Sequence, residues 1–320
     1  HHRDLHYPLR RQRQMCIRDS NNVLVKNEWV SVDPYMRARM TERKNYKPPF
    51  ELNKPMEGAA IGKVLESNTS FFSPGDIVKS DYGWRDQFVT SNNDLIKIDS
   101  IDVPIQTYLG PLGFTGHTAY IGLFRIGALK ENQTVLVSSA AGSVGSIVCQ
   151  IAKIKGCRVI ASTGSDEKVN WLKNELGVDE AFNYKKIDNL VLHLKSLAPE
   201  GYDLYFDNVG GEISDAVLNH LSNFSRTAIC GQIANYNAKV PPQGPRVART
   251  LLTKQSTMQG FIVFNFEHKY DEAMNSISKW IKSGEIIYKE DIYKGFDSIP
   301  SIFMKLFEGE NFGKLIVDVR

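Results

Sequence analysis

The sequence predicts an α/β protein built from a small β-barrel followed by a doubly wound parallel sheet, and three observations predict it. Short strand-like runs with turn signals fill residues 23–105. Strand and helix patterns alternate over residues 109–281. Between Val135 and Ile154 a buried-strand run turns on small residues straight into a helical repeat. Many short strands suggest a barrel, and alternating strands and helices suggest βαβ units on a parallel sheet.

The elements follow in chain order. Residues 1–20 hold five arginines and three histidines with neither a period of 2 nor of 3.6. They are expected to be a non-native or disordered leader, the natural first strand then being absent. Strands are predicted over 23–25, 29–32, 58–67, 76–78, 87–89 and 95–98, with a Pro74-Gly75 turn feeding the fourth. The glycine-rich stretch 110–120 enters a helix, with Thr118 as a candidate cap. Further strands are predicted over 134–138, 158–161, 203–207, 226–230 and 258–263. Residues 241–246 read as a surface loop, 270–281 as the last long helix, and 313–319 as a strand returning to the barrel. The domain layout is therefore 1–20 leader, 21–108 barrel, 109–284 nucleotide-type domain and 285–320 return.

The chain has 320 residues, enough for about two domains. It is 42% hydrophobic, which supplies a sizeable core. Net charge is +3 and no basic run dominates beyond the leader, so nucleic acid is not an expected partner. No apolar run reaches the length of a membrane span, and a signal peptide is not expected. The four cysteines (Cys16, Cys149, Cys157 and Cys230) are scattered with no close pair, Cys149 and Cys157 read as buried thiols in an apolar pattern, and a reducing, cytoplasmic setting is expected. No cysteine lies between Ser20 and Cys149, and His117 is the only histidine in that interval. A zinc site is not expected.

The most informative segment reads Val135-Leu136-Val137-Ser138-Ser139-Ala140-Ala141-Gly142-Ser143-Val144-Gly145-Ser146. The turn is A-x-G-x-x-G, with helical spacing from Val144 onward. Gly142 lets a pyrophosphate approach the backbone, Gly145 lets the helix pack closely on the strand, and the helix N-terminus holds the phosphates. The alternative is an ordinary βα turn that needs small residues for packing. An NAD site of this type carries an acid about 20 residues further on. Ser162-Thr163-Gly164-Ser165 stand there instead, followed by Lys168. Small hydroxyl residues and a lysine accept a 2′-phosphate that a carboxylate would repel, so NADPH is the expected cofactor. Asp166 and Glu167 read as helix-start residues. A solvated surface Lys168 is the competing reading.

Three other stretches carry candidate chemistry. Asp33-Pro34-Tyr35-Met36-Arg37 is a proline turn in which Tyr35 is either a ligand-facing or a packed tyrosine, and Asp33 and Arg37 can pair. Asn208, after the strand over 203–207, can bond ribose or nicotinamide groups. Tyr236, in the polar loop after the strand over 226–230, is the preferred polar catalytic group. A solvent-facing loop tyrosine is its rival reading.

These segments together, with Phe182-Asn183-Tyr184-Lys185, Tyr205-Phe206-Asp207-Asn208-Val209-Gly210-Gly211, Met258-Gln259-Gly260-Phe261-Ile262-Val263 and Asn311-Phe312-Gly313-Lys314, resemble one family. It is the zinc-independent medium-chain dehydrogenase/reductases called alkenal/one oxidoreductases, which include prostaglandin reductases, plant double-bond reductases and curcumin-type reductases. The resemblance implies an α/β fold, a GroES-like β-barrel domain plus a Rossmann doubly wound parallel-sheet domain. It also implies a homodimer. Gly142, Ser143, Val144 and Gly145 would hold the pyrophosphate, and Lys168 and Tyr184 the 2′-phosphate end. Asn208 would meet the ribose side, and Cys230, Gly231 and Tyr236 would flank the nicotinamide. Phe261, Ile262 and Val263 would line the cofactor, and Asn311 would bond near the nicotinamide. Tyr35 and Tyr236 would face a small enone or enal substrate. The implied activity is NADPH-dependent reduction of the C=C bond of α,β-unsaturated ketones and aldehydes. A quinone reductase of the same fold and a non-catalytic NADPH-binding protein are the alternatives.

Overall fold

The computed structural model describes residues 21–42, 45–99 and 102–320. The expected leader over residues 1–20, with Cys16, lies outside them. Two compact units are formed. The first holds residues up to Leu109 together with Ile292–Leu306 and Leu315–Arg320. The second holds Gly110–Asp291 and Phe307–Lys314.

The first unit is built on an antiparallel sheet. Its strands are β1 (Asn22–Ser31), β2 (Ala60–Ser67), β3 (Ile77–Ser80), β4 (Gln87–Ser91) and β5 (Ile96–Lys97), joined by two late strands of the chain, Glu290–Lys294 and Lys314–Asp318. The strands expected over 23–25 and 29–32 are one continuous β1. The polar Lys26-Asn27-Glu28 stretch between them stays in the strand: Lys26 and Asn27 pair with Lys63 and Gly62, and the register against β2 shifts between Leu24 and Val25 and again between Asn27 and Trp29, where Glu28 is the extra residue of a β-bulge. Next to it, the buried Asn27 side-chain amide donates to the carbonyls of Tyr82 and Arg85, both at 2.8 Å. Before it, Val23 and Val25 join an apolar cluster with Val64, Phe72, Val78, Phe88 and Leu95. After it, Trp29 joins a second cluster with Ile61, Ile98, Leu109 and Ile316.

The second unit is a six-stranded, all-parallel sheet of β6 (Thr134–Val137), β7 (Arg158–Thr163), β8 (Glu180–Asn183), β9 (Tyr202–Asp207), β10 (Leu221–Ile229) and β11 (Thr257–Gly260). The spatial order is β11-β10-β9-β6-β7-β8. This is the doubly wound Rossmann order, in which the direction of winding reverses between β6 and β9. Ligands bind such sheets outside the carboxyl ends of the strands at that reversal. Helices Leu190–Leu197 and Gly211–Leu218 pack on one face through a core that includes Leu136, Ile160, Tyr202 and Tyr205. Helix Gly145–Ile154 packs against β6 and β7 with Ile147, Val148, Ile151 and Ala152 buried.

Several local expectations change. The strand expected over 258–263 ends at Gly260, so Phe261 and Ile262 lie beyond it and Val263 opens the 3-10 helix Val263–Lys269. Thr118 is no cap: the helix starts at Phe114 after Gly113, and Thr118 Oγ1 donates back to the Phe114 carbonyl at 2.7 Å. A threonine inside a helix does this because its hydroxyl reaches the carbonyl four residues earlier. Val144 flanks helix Gly145–Ile154 and does not begin it.

Candidate functional site

The turn after β6 stands at one side of the winding reversal. Ser139 has φ +49°, a left-handed turn conformation. Ala140 N donates to Ser162 O at 2.9 Å and Gly142 N to Ser139 O at 3.0 Å, so the turn is tied to the end of β7. A Cβ on Gly145 would overlap the Ser139 carbonyl oxygen and come within 2.8 Å of the Ala140 Cα. Only glycine allows the helix this close. Val144 has no side-chain acceptor, and the helix N-terminus carries no side-chain cap. Ser143 Oγ is buried without a hydrogen-bond partner among the described residues. An uncapped helix N-terminus beside an orphaned hydroxyl fits a phosphate, which accepts from both.

The end of β7 carries no acid. Ser165 caps helix Asp166–Asn174 by accepting from Lys168 N at 3.4 Å. Asp166 is turned toward Asn183 Nδ2 (2.9 Å) and the Lys186 ammonium, as a helix-start residue. Lys168 Nζ donates to the Gly309 carbonyl at 2.6 Å. A Cβ on Gly164 would lie 3.3 Å from Lys185 Cε and 3.5 Å from Tyr184 Cε1. Burial, and then the charge of Lys185, hold the Lys168 ammonium below the ordinary lysine value. Two lysines and a tyrosine thus gather at the strand end, where an anion relieves their repulsion. Lys185 is the member that sequence reasoning missed, although it adjoins Tyr184 in a segment already singled out.

Across the reversal, Asn208 follows β9. Its N–H donates to Ser138 Oγ (2.9 Å) and its side-chain Nδ2 to Ser138 O (2.8 Å). The amide is thereby oriented, with Oδ1 turned from that bond. Asp207, 1% exposed, was also passed over as a functional residue. Its Oδ1 accepts from Tyr205 Oη (2.8 Å), Ser138 Oγ (3.2 Å), Val209 N (3.0 Å) and Gly210 N (2.9 Å), and its Oδ2 from Ser214 Oγ (2.8 Å). Nothing in the residue type signals this, since every donor is set by the fold.

The loop after β10 carries Cys230, Gly231 and Tyr236. Burial, with Asp207 adding to it, pushes the Cys230 thiol up to about 12, so it is no nucleophile at neutral pH. The half-buried Tyr236 accepts from Gln232 N at 3.4 Å, and a Cβ on Gly231 would sit 3.4 Å from its hydroxyl. Burial raises its phenol above the usual value. The hydroxyl is therefore a proton-bearing donor over a wide pH range.

The remaining expected residues are spread more widely. Phe261 packs edge-on against Phe206 at 6.4 Å, and Val263 is buried. Asn311 donates to Gly313 O at 3.3 Å. It lies on a segment whose Gly309 meets Lys168 and whose Gly313 N donates to Ala141 O at 3.0 Å. The structure thus places that segment beside the phosphate turn. Tyr35 belongs to the first unit, on the 3-10 helix Pro34–Met40. Burial, then the Asp33 charge, push its phenol well above the ordinary value. Asp33 accepts from Ser31 Oγ, and the buried cation of that segment is Arg39, paired with Glu57 at 2.8 Å and lying over Phe50. Among the described residues, no group of three or more His, Cys, Asp or Glu side chains is placed to hold a metal ion. None of their helices is long and apolar enough to cross a membrane.

Comparison with known proteins adds to this geometry. The family model described as the N-terminal domain of oxidoreductase matches residues 5–98, and so begins inside the first 20 residues. The one described as zinc-binding dehydrogenase matches residues 143–279. The chain is 48% identical over 299 residues to the putative NADP-dependent oxidoreductase YfmJ of Bacillus subtilis, covering 93% of this chain and 88% of that protein. It is 42% identical over 302 residues to the NADP-dependent 2-alkenal reductase of Nicotiana tabacum, covering 94% and 88%. CurA from Vibrio vulnificus, solved in complex with NADPH, superposes with a TM-score of 0.89 at 37% identity, covering 94% of this chain and 90% of that one.

Proposed function

Because the chain belongs to the alkenal/one oxidoreductase family of medium-chain dehydrogenase/reductases, we propose that it reduces the C=C bond of α,β-unsaturated ketones and aldehydes with NADPH. The observation that carries the cofactor choice is the lysine pair at the end of β7, where an NAD site of this type would hold an acid. Gly142, Ser143, Val144 and Gly145 hold the pyrophosphate at the uncapped helix N-terminus, and Lys168, Tyr184 and Lys185 take the 2′-phosphate. Asn208, Cys230, Gly231, Phe261, Ile262, Val263 and Asn311 line the rest of the cofactor. When bound, NADPH supplies a hydride to the β-carbon of the enone.

As that hydride arrives, negative charge moves onto the substrate carbonyl oxygen. Tyr236, kept protonated by its burial, donates a hydrogen bond that strengthens as the charge develops. The α-carbon then takes a proton from solvent or a hydroxyl, giving the saturated carbonyl compound. No imidazole or carboxylate base is needed. A homodimer in the cytoplasm is the expected setting.

The test follows NADPH consumption with a medium-chain enone, with NADH and a quinone in parallel, and identifies the product. A saturated ketone formed with NADPH preference supports the reading. Turnover of the quinone alone contradicts it.

A further inference from the structure

We infer that Asp207 is a positioning residue for this reaction, ordering the loop on which the Tyr236 turn is seated and aiming the Asn208 amide. The inference rests on the reading of Tyr236 as the oxyanion donor.

Three observations converge on Asp207. First, its side chain collects donors from four places: Tyr205 on its own strand, Ser138 at the end of β6, the Val209 and Gly210 amides of the loop that follows, and Ser214 on helix Gly211–Leu218. Second, the Ser138 hydroxyl that donates to Asp207 accepts the Asn208 backbone N–H, and the Ser138 carbonyl accepts the Asn208 side-chain Nδ2, so the carboxylate holds the residue that orients Asn208. Third, the backbone carbonyl of Asp207 accepts from Cys230 N (2.8 Å) and Gly231 N (3.1 Å), which fixes the start of the Tyr236 loop.

The coupling then runs outward by contact. Asp207 fixes Val209 and Gly210, and Ala234 N donates to Val209 O at 3.1 Å. A Cβ on Gly210 would lie 3.3 Å from Asn235 Nδ2 and 3.3 Å from the Gln232 side chain, so residues 232–235 rest directly on the loop that Asp207 orders. Tyr236 caps that turn and holds Gln232 N. Gly210 has φ +69°, a backbone that other residues rarely adopt, and its N–H bond to Asp207 holds it there.

Asparagine is nearly the shape of aspartate, but it has one acceptor oxygen where Asp207 uses two. In Asp207→Asn the amide nitrogen must face either Ser214 or the four donors on the other side. The experiment has two arms. In the cofactor-free protein, hydrogen–deuterium exchange of Asp207→Asn should rise at residues 208–211 and 230–236 and stay unchanged in helix Tyr270–Lys282. In the assay, kcat on an enone should fall tenfold or more, with NADPH affinity less affected. The loss should not multiply with that of Tyr236→Phe, because residues acting through one another are non-additive. Ser138→Ala and Ser214→Ala, which each delete one partner, repeat both arms should Asp207→Asn fail to fold.

Exchange unchanged at residues 230–236, or raised evenly across the sheet, overturns the inference, and so does a fully multiplicative double variant. If Tyr236→Phe alone leaves turnover intact, the oxyanion reading fails. The exchange arm then decides the ordering role of Asp207 by itself: a rise confined to the two loops upholds it, and no rise refutes it.

Discussion

The Lys168 ammonium donates to the Gly309 carbonyl at 2.6 Å, which joins the side chain expected to meet a 2′-phosphate to the segment that carries Asn311. A phosphate must draw that ammonium from a neutral carbonyl to itself, and charge favours the exchange. Lys168→Ala removes one charge-assisted contact, a loss of about 1.5–3 kcal/mol. NADPH should bind about 10–100-fold more weakly while NADH binding is unchanged. Titration of cofactor fluorescence measures both. Equal weakening of the two would remove Lys168 from the 2′-phosphate contact.

The same lysine sets a pH dependence. Burial and Lys185 lower its proton affinity, so the cation that binds phosphate is lost on the alkaline side before the ordinary value of 10.5 is reached. The NADPH dissociation constant should rise with pH in that range, and the NADH constant should stay flat. Parallel titrations across alkaline pH make the comparison.

The two glycines of the phosphate turn should separate folding from binding. A Cβ on Gly145 would overlap backbone, and overpacking of this kind costs about 1–3 kcal/mol. A Cβ on Gly142 would meet only Ser139 O and Oγ at 3.2 Å. Gly145→Ala should lower Tm by several degrees, whereas Gly142→Ala should melt close to the parent and still bind NADPH more weakly. Thermal melts with and without NADPH distinguish them.

The phosphate turn was legible because a continuous apolar run gives way to a period of 3.6 across a few small residues, a local pattern. Lys168 was legible for a similar reason, as the first cation after a strand end that lacks an acid. Strand β8 was not, since Glu180-Ala181-Phe182-Asn183 is four residues of mixed character at the sheet edge. Helix Ile299–Glu308 was missed as well: Pro300 reads as a breaker, yet in a first helical turn it removes no hydrogen bond. Asp207 was out of reach for a different reason. Ser138 is 69 positions away and Ser214 is seven, so only the folded sheet brings those donors together.

Tyr236 carries the chemical step in this account. Tyr236→Phe deletes the hydroxyl and keeps the ring, so NADPH affinity should change little while kcat falls tenfold or more, as loss of an oxyanion donor does. Steady-state kinetics beside a binding titration checks the split, and unchanged turnover would leave Tyr236 as a packing residue.

The most direct measurement of the central claim uses NADPH carrying deuterium at the transferable position of its nicotinamide, an aliphatic enone, and mass-spectrometric and NMR location of the label in the product. One deuterium is expected at the β-carbon of a saturated ketone, with the α-hydrogen drawn from water. Label on the carbonyl carbon of an allylic alcohol, or no transfer to the enone at all, would contradict it.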